Sequence, residues 1–405
     1  MAQRLLPPAP ASLARGLAEL PAALEAAQPL RQRHRAQLPN QVAQLSEWLT
    51  TDREELPRDY LSRPAVLSAY LHYFLPWNLY RQGRLAAGLD LQFAPGQRIV
   101  DIGAGPLTFA LALWLTRPDL REMPLEVVAV DRSAAALQAG RRVWDAVAPG
   151  SPWRIELVSQ PAGARALPPA DLLVLANVLN EVRRPGGVDR DTGDDPNDRL
   201  LERWADSLAP GGRVLVIEPG TRPASRALVA LRAHAVEAGW RLLAPCPHVE
   251  RCPQPGTGRH PWCHFAFDAA GSPPWLEDLS RRAGLAKDRA SLSFLLLRPG
   301  LAGEAAPAAD ASAVLVVSGA FPLPGNARGR YGCAARGLVL LEEKNPGTAA
   351  GPLPGDAVTV TWPESPRRDG RSGALVAPLP GRGGPAPAAP ATAPPRRRMS
   401  RGSGR

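Results

Sequence analysis

Apolar residues recur at helical spacing through the first part of the chain. Four leucines from Leu13 to Leu24 lie three or four positions apart, and a second series begins at Val42, which predicts amphipathic helices. An aromatic run that ends at Tyr80 has similar spacing, and rings in such a stripe are expected in a buried core. Together these segments predict an N-terminal helical domain over residues 1–95.

From residue 97 the pattern changes to short apolar strands that alternate with helical segments. The predicted strands are residues 98–102, 127–130, 155–158, 172–175 and 213–217. This alternation predicts an α/β domain with a parallel sheet and helices on both faces, because parallel strands need crossover connections. We expect the domain to occupy residues 96–300, with residues 240–244 and 291–297 closing the sheet as an antiparallel pair.

The last part of the chain divides into two segments of different character. Short apolar runs separated by glycine- and proline-rich turns predict a small β-domain over residues 310–365. Residues 366–405 show no apolar periodicity and are rich in proline, glycine, alanine and arginine. Such a segment cannot bury enough apolar surface to offset its chain entropy, so we expect a disordered basic tail.

The composition is that of a globular protein, with 405 residues of which 45% are hydrophobic and 21% charged. The net charge of +10 points to an acidic partner, but nine arginines and one aspartate after residue 365 supply +8 of it. The tail can contact phosphates without reading sequence, whereas the remaining charge is no evidence for nucleic-acid binding. No membrane span or secretory leader is recognisable, so we expect a cytoplasmic protein without a membrane partner.

A glycine turn follows the first strand of the α/β domain. Gly103 and Gly105 allow the backbone to turn sharply and to approach a ligand closely before the next helix begins. The second strand ends at Asp131, where a carboxylate can accept the hydroxyls of a ribose. Thr108 stands where a dinucleotide site would have its third glycine, which disfavours a pyrophosphate ligand.

The segments D-I-G-A-G-P and V-A-V-D resemble the Rossmann-like fold of the S-adenosylmethionine-dependent methyltransferases. The resemblance implies that Gly103, Ala104 and Gly105 border the methionine part of S-adenosylmethionine. It also implies that Asp101 lies beneath that part and that Asp131 holds the ribose. A cofactor site is therefore expected between the first two strands.

Three polar residues follow the fourth strand, where methyltransferases place groups that face the substrate. Asn177, Asn180 and Glu181 are the candidates for orienting a methyl acceptor, but they can equally cap the next helix. The segment lacks the N-P-P-Y form that accompanies methylation of exocyclic amines. The sequence therefore supports cofactor binding better than it supports catalysis, and whether the chain is an enzyme stays open.

Cysteines and histidines are concentrated between residues 234 and 264, and most of the thiols there have proline neighbours. The four cysteines of the chain are Cys246, Cys252, Cys263 and Cys333. Thiolates with nearby imidazoles indicate zinc or an iron–sulfur cluster, although the spacings fit neither a zinc knuckle nor a ferredoxin. Alternatives are a zinc site that includes His248 or His264, a disulfide, or inert buried thiols.

The block A-P-C-P-H-x3-C-P…W-C-H-F, downstream of D-I-G-A-G-P and I-E-P-G-T, resembles the methyltransferase-like family of the small ribosomal subunit. Its mitochondrial members are called ribosomal small subunit protein 22 or methyltransferase-like protein 17, and the likeness covers about residues 60–345. It implies a 4Fe–4S cluster on Cys246, Cys252, Cys263 and Cys333, with zinc as the alternative, in a Cys-rich insertion at residues 244–265. The gap between the second and third cysteines is longer than in the family by residues 254–259.

The family implies association with the small ribosomal subunit and its 16S rRNA. We therefore expect an S-adenosylmethionine-binding, iron–sulfur-containing protein that is an rRNA methyltransferase or an assembly factor, with no DNA partner. One alternative is a non-catalytic rRNA-binding assembly module. The other is a zinc-containing methyltransferase with a non-RNA substrate.

Overall fold

The N-terminal leucine stripe forms helices in the computed structural model, which describes residues 4–50, 60–161, 167–182, 195–301, 303–304, 310–348 and 351–379. The N-terminal elements are α1 (Ala11–Ala27), α2 (Gln32–Thr50), a short 3-10 helix (Tyr60–Ser62), α3 (Pro64–Ala69), a π-helical turn (Tyr70–Phe74) and α4 (Leu75–Gly88). Leu13, Leu17, Leu20 and Leu24 are all buried along one face of α1. The predicted helical character of this part of the chain is therefore confirmed.

Eight strands of the described residues form a central sheet. They are β1 (Arg98–Ile102), β2 (Glu126–Asp131), β3 (Arg154–Ser159), β4 (Ala170–Ala176), β5 (Leu208–Pro219), β6 (Arg241–Ala244), β7 (Phe265–Asp268) and β8 (Arg289–Arg298). Their order is β3-β2-β1-β4-β5-β8-β6, and β7 also pairs with β8.

The first five strands are parallel, as in a Rossmann-type sheet, and β8 runs antiparallel to β5, β6 and β7. The predicted fold class and the antiparallel closing pair are confirmed. Because β1 to β5 are parallel, their carboxyl ends lie at one edge of the sheet, which is where ligands bind in such folds.

Helices cover both faces of the central sheet. They are α5 (Thr108–Thr116), α6 (Ala134–Val147), α7 (Leu179–Val182), α8 (Pro196–Asp206), α9 (Arg222–Glu237) and α10 (Pro274–Arg282), with a 3-10 helix at Pro118–Leu120. All nine residues of α5 are buried, because α1 and α4 pack over it on the side away from the sheet. Helices α8 and α9 lie on the opposite face, where α9 packs against β5, β6 and β8.

The N-terminal helices share one hydrophobic core with the central sheet. The same cluster of buried side chains contains Leu13 and Trp77 of the helices and Ile99 and Leu172 of the strands. The apolar stripe predicted these helices but did not show what they pack against. Within residues 4–50 and 60–88, the helices therefore form an additional layer over one face of the sheet.

A second sheet follows the first along the chain. Its strands are β9 (Ala313–Val316), β10 (Phe321–Leu323), β11 (Ala327–Ala334), β12 (Gly337–Lys344), β13 (Ala357–Thr359) and β14 (Leu375–Pro378), in the order β13-β9-β11-β12-β14 with β10 beside β11.

The expectation that ordered structure ends at residue 365 is wrong. Strand β14 pairs in parallel with β12, and the N–H of Val376 donates to the carbonyl oxygen of Arg367. The apolar segment involved is only a few residues long, too short to produce a periodic signal. Residues 380–405, which contain most of the predicted basic tail, lie outside the described residues.

Candidate functional site

The glycine turn after β1 is tied to the end of β2. Gly103 and Gly105 have φ of +74° and +52°, a left-handed conformation that glycine adopts without strain. The N–H groups of Gly103 and Ala104 donate to the carbonyl oxygen of Val130 at 2.8 and 3.1 Å. A Cβ at position 103 would also lie 2.3 Å from Val178 Cγ1. Both the backbone angle and the close approach of Val178 therefore require glycine at position 103.

Asp131 stabilises the turn from the end of β2. Its Oδ2 accepts a hydrogen bond from the Gly105 N–H, and its Oδ1 accepts one from the Ser133 N–H, each at 2.8 Å. Burial raises the pKa of the Asp131 carboxyl, and these two hydrogen bonds oppose the rise. Each carboxylate oxygen retains a second lone pair, so the group can still accept hydroxyl donors from a ligand.

Asp101 lies under the turn and is only 2% exposed. Its Oδ1 has no hydrogen-bond partner among the described residues. Burial, and then the neighbouring Asp131 carboxylate, raise the pKa of Asp101 to about 8. A buried carboxyl with an unpaired oxygen is unfavourable unless a donor or cation pairs with it. S-adenosylmethionine carries a sulfonium and an ammonium group, so this pair of aspartates fits the cofactor that the sequence predicted.

The three predicted acceptor-orienting residues lie at the same edge of the sheet. Asn177 directly follows β4, has φ of +63°, and donates its N–H to the carbonyl oxygen of Ile217. Asn180 and Glu181 are exposed on α7, and Glu181 Oε2 lies 3.8 Å from the guanidinium of Arg132. The placement allows a role in orienting an acceptor, which stays a prediction for all three residues.

Sequence reasoning missed Glu218, which caps α7. This residue of β5 is 2% exposed, and its Oε1 accepts a hydrogen bond from the Leu179 N–H at 2.9 Å. The signal was present in the sequence, because Glu218 is a charged residue that directly follows an apolar strand. The cap fixes the start of α7 and therefore the position of Asn180 one residue later.

Tyr70, which the aromatic run predicted to be core, and Tyr60 both lie near Asp131 at the carboxyl edge of the parallel strands. The Tyr70 hydroxyl lies 3.9 Å from the position that a Cβ of Gly105 would occupy. Burial, and then the Asp131 carboxylate, raise the pKa of Tyr70 to about 12, and a hydrogen bond with Asn78 opposes this. Burial and the proximity of Tyr70 raise the pKa of Tyr60. The helical layer thus contributes polar groups beside Asp131.

The four cysteines come from four separate segments and lie near enough to affect one another's ionisation. Cys246 follows β6, Cys252 lies in the next loop, Cys263 precedes β7, and Cys333 lies in β11 of the second sheet. All four are free thiols. Burial raises the pKa of Cys263, and the proximity of the other three thiols raises it further. Burial and the proximity of the Cys246 and Cys252 thiols also raise the pKa of Cys333, and the role of all four as ligands stays a prediction.

Two further side chains hold this cysteine group in place. Arg232 of α9 is 4% exposed; its Nε donates to Cys246 Sγ at 3.2 Å and its Nη2 donates to the His248 carbonyl oxygen at 2.7 Å. His248 Nε2 lies 3.2 Å from Cys333 Sγ. Burial, and then the Arg232 charge, lower the pKa of His248 to about 4, so the imidazole is neutral at pH 7. The sequence marked His248 as a possible ligand and gave no signal for Arg232.

Within the part of the chain that the structure describes, no three His, Cys, Asp or Glu side chains form a group that could hold a metal ion. The iron–sulfur and zinc assignments therefore stay predictions. In the same residues, no helix is both long and apolar enough to cross a membrane.

Residues 79–274 match the model of the family described as mitochondrial small ribosomal subunit Rsm22. The chain is therefore similar to the Rsm22 family over this segment. The family resemblance inferred from the cysteine block is thereby confirmed, and the match contains three of the four cysteines. Cys333 lies beyond its end. No curated protein matches the chain.

Solved structures of S-adenosylmethionine-dependent methyltransferases are also similar to the chain. One from Geobacter sulfurreducens, in complex with S-adenosyl-L-homocysteine, has 18% identity and a TM-score of 0.31, and the match covers 55% of this chain and 91% of that one. One from Thiobacillus denitrificans, with the same ligand, has 16% identity, a TM-score of 0.30 and coverage of 55% and 91%. One from Leishmania major has 14% identity, a TM-score of 0.34 and coverage of 64% and 83%. The fold assignment rests on the strand order rather than on these similarities.

The predicted location in the cytoplasm stays a prediction. The family description refers to a mitochondrial subunit.

Proposed function

We propose that this chain is an S-adenosylmethionine-binding, methyltransferase-like protein that acts on the small ribosomal subunit, as an rRNA methyltransferase or as an assembly factor. The observation that carries the proposal is the paired-aspartate site of a segment similar to the Rsm22 family. In that site Asp131 accepts a hydrogen bond from the glycine turn, and the buried Oδ1 of Asp101 has no hydrogen-bond partner among the described residues.

The cofactor would supply a methyl group activated by the sulfonium charge, and the chain's own residues would bind and orient it. Backbone groups of Gly103 to Gly105 would border the methionine part, and the remaining lone pairs of Asp131 would accept the ribose hydroxyls. Asp101 would pair with a cationic group of the ligand. An exposed amide such as that of Asn180 can position an acceptor, and positioning supplies much of the rate in a bimolecular transfer.

We further propose that the four thiols hold a 4Fe–4S cluster. Four cysteines, of which Cys252, Cys263 and Cys333 have pKa values raised by burial and by neighbouring thiols, supply the number and type of donors that such a cluster needs. The Arg232 N–H on Cys246 Sγ is the kind of hydrogen bond that tunes such clusters. Zinc on the same thiols is the second candidate, and the unpaired Nδ1 of His248 is the observation in favour of a mixed site.

Metal analysis of anaerobically purified full-length protein tests the cluster. We expect a brown protein with about four irons per chain, and loss of both colour and iron in Cys246→Ser and Cys333→Ser variants. Cys333→Ser is the more informative variant, because Cys333 lies outside the segment that matches the family and only this variant tests whether the second sheet supplies a ligand. A colourless protein with one zinc would overturn the cluster and support the alternative.

Two assays on isolated small subunits separate the enzyme from the assembly factor. Wild-type protein should co-sediment with the subunits, and radiolabelled S-adenosylmethionine should transfer label to rRNA if the chain is an enzyme. Asp131→Ala should abolish transfer while subunit binding persists. Binding without transfer would support the non-catalytic module, whereas absence of binding would overturn the ribosomal role.

A further inference from the structure

A groove runs between α9 and the loop that carries Cys252. Its volume is about 540 Å³, which is in the range of ligand-binding sites. Small side chains of α9, including Ala230 and Ala233, line it together with Arg226 and Arg251. The small residues allow a ligand backbone to approach the helix closely.

Two of the three arginines that line the groove have no charged partner among the described residues. Arg226 and Arg251 are both exposed, and neither forms a hydrogen bond or an ion pair with any described residue. Arg232, which lines the same groove, is instead fully engaged with Cys246 and with the His248 carbonyl oxygen. Of the three guanidinium groups, those of Arg226 and Arg251 are therefore available to an anionic ligand.

The insertion at residues 254–259 forms the wall opposite α9 and is fixed to that helix. Arg222 Nη1 donates to the carbonyl oxygens of Gly256, Gly258 and His260, at 3.3, 3.3 and 2.9 Å. Its guanidinium also lies over the Trp262 ring, 4.7 Å from the centroid. A segment that lengthens the cysteine block thus has a defined position in the fold.

Gly256 sets the width of the groove at the Arg226 stem. It has φ of +68°, and a Cβ at this position would lie 2.8 Å from Arg226 Cγ. The loop therefore packs directly on the stem of Arg226 and limits the directions in which its guanidinium can point.

One end of the groove reaches the cofactor edge of the sheet. Asn180 lines it there, and this residue belongs to α7, directly after β4 and the loop that holds Asn177. The groove thus connects the loop of the cysteine group with the place where a methyl acceptor would lie. A ligand that followed it would be extended rather than compact.

We propose that this groove binds the sugar-phosphate backbone of a single-stranded RNA segment, with phosphates at Arg226 and Arg251 and the strand directed toward Asn180. The Arg226 and Arg251 guanidinium groups, which have no partner among the described residues, suit the phosphates of a flexible backbone, and the small side chains between them leave room for that backbone. The choice of rRNA as the source rests on the proposed function. An acidic peptide is the other negatively charged polymer that could bind here, and the experiment below distinguishes it from RNA.

The test compares two charge-reversal variants of the full-length protein. Arg226→Glu with Arg251→Glu changes the groove, and Arg15→Glu with Arg154→Glu makes the same change in net charge elsewhere. Arg15 lies on α1, and Arg154 lies on β3 at the opposite edge of the sheet from β6. The probes are a fluorescein-labelled RNA of about 20 unstructured nucleotides, measured by anisotropy, and isolated small subunits, measured by sedimentation.

We expect the groove variant to bind the RNA at least about tenfold more weakly, with unchanged iron content. The slope of log affinity against log salt should fall by about 1.4, because each phosphate of a single strand that the protein neutralises contributes about 0.7 to that slope. The control variant should match the wild type in both measurements. Equal RNA affinity and salt slope in the groove variant would overturn the proposal.

The subunit assay separates failure of this inference from failure of the proposed function. If the wild type does not bind small subunits, the ribosomal role fails, whatever the RNA result. If both variants bind subunits like the wild type, the ribosomal role stands and the groove is not the contact. If the groove variant loses subunits but retains RNA, the groove contacts a ribosomal protein and the RNA assignment is overturned.

Discussion

The most direct consequence of the cofactor site concerns the ionisation of Asp101. Burial and the Asp131 carboxylate raise its pKa from the ordinary 3.8 to about 8. The folded state therefore retains a proton that the unfolded state loses near pH 4. The stabilisation from this proton is complete below pH 4 and is lost as pH rises toward 8. Asp101→Asn has a nearly identical shape but cannot ionise, so it should remove this pH dependence.

The size of the effect follows from the shift in pKa. Each unit corresponds to about 1.36 kcal/mol, so one group changes the unfolding free energy by at most that amount per pH unit. Between pH 5 and pH 8 the wild type should lose about 4 kcal/mol relative to Asp101→Asn. At about 2 °C per kcal/mol for a chain of this size, the two melting curves should separate by about 8 °C.

Tryptophan fluorescence during thermal unfolding measures this difference for the protein without cofactor, from pH 5 to pH 9. Asp145→Asn is the matched control, because its carboxylate is 55% exposed on α6 and pairs with Arg141 at the surface. That variant should follow the wild type at every pH. Addition of S-adenosylmethionine at pH 8 should raise the melting temperature of the wild type more than that of Asp101→Asn, because the cofactor's positive charge pairs with the ionised carboxyl.

Parallel melting profiles for wild type and Asp101→Asn would refute the reasoning, because they would show that Asp101 ionises in the folded state without penalty. A difference that grows toward acidic pH would refute it as well. Equal stabilisation of both proteins by the cofactor would leave the buried carboxyl without a role in binding a cation.

Three further substitutions test neighbouring parts of the site. Gly103→Ala should destabilise the fold by about 1–3 kcal/mol and weaken cofactor binding. The control is Gly150→Ala, at a similar φ of +71° with no neighbour within 4 Å, which should destabilise the fold less. Equal losses of melting temperature in the two variants would show that the contact with Val178 does not contribute. Tyr70→Phe should weaken S-adenosylmethionine by about 0.5–1.5 kcal/mol in calorimetry, and unchanged affinity would return this ring to the core. Arg232→Gln should lower the reduction potential of the proposed cluster in a mediated titration, because the positive guanidinium stabilises the reduced cluster, which carries one more negative charge. An unchanged potential would contradict the role of the Arg232 hydrogen bond to sulfur.

The sequence predicted the central sheet well because the responsible signal is local. Apolar runs of a few residues define β1, β2 and β4, and a glycine turn followed by a strand ending at Asp131 marks the edge where the cofactor is proposed to bind. The sequence could not show which elements bury α5, because a fully apolar helix predicts burial but does not identify the elements that pack against it. For the same reason the aromatic run predicted core at Tyr70, whose hydroxyl lies beside Gly105.

The cysteine group shows where the limit of sequence reasoning lies. Three of its members fall within one short block and within the Rsm22 match, so proximity along the chain already grouped them. Cys333 is 70 residues or more from the others in sequence, and it was grouped with them because a fourth thiolate would complete a site and because the family resemblance implies it. In the structure it is positioned by the pairing of β11 with β9 and β12, and its sulfur contacts His248.

That arrangement gives the second sheet a physical connection to the rest of the site. A ligand held by Cys333 and by thiols of the loop would join strand β11 to the segment that also forms one wall of the arginine-lined groove. Arg232 lines that groove and donates to Cys246, so the groove and the cysteine group share a side chain. Loss of the bound group should therefore loosen the loop that positions Arg251, while charge reversal at Arg251 should leave the thiols undisturbed. This asymmetry is why iron content and RNA affinity need to be measured on the same variants.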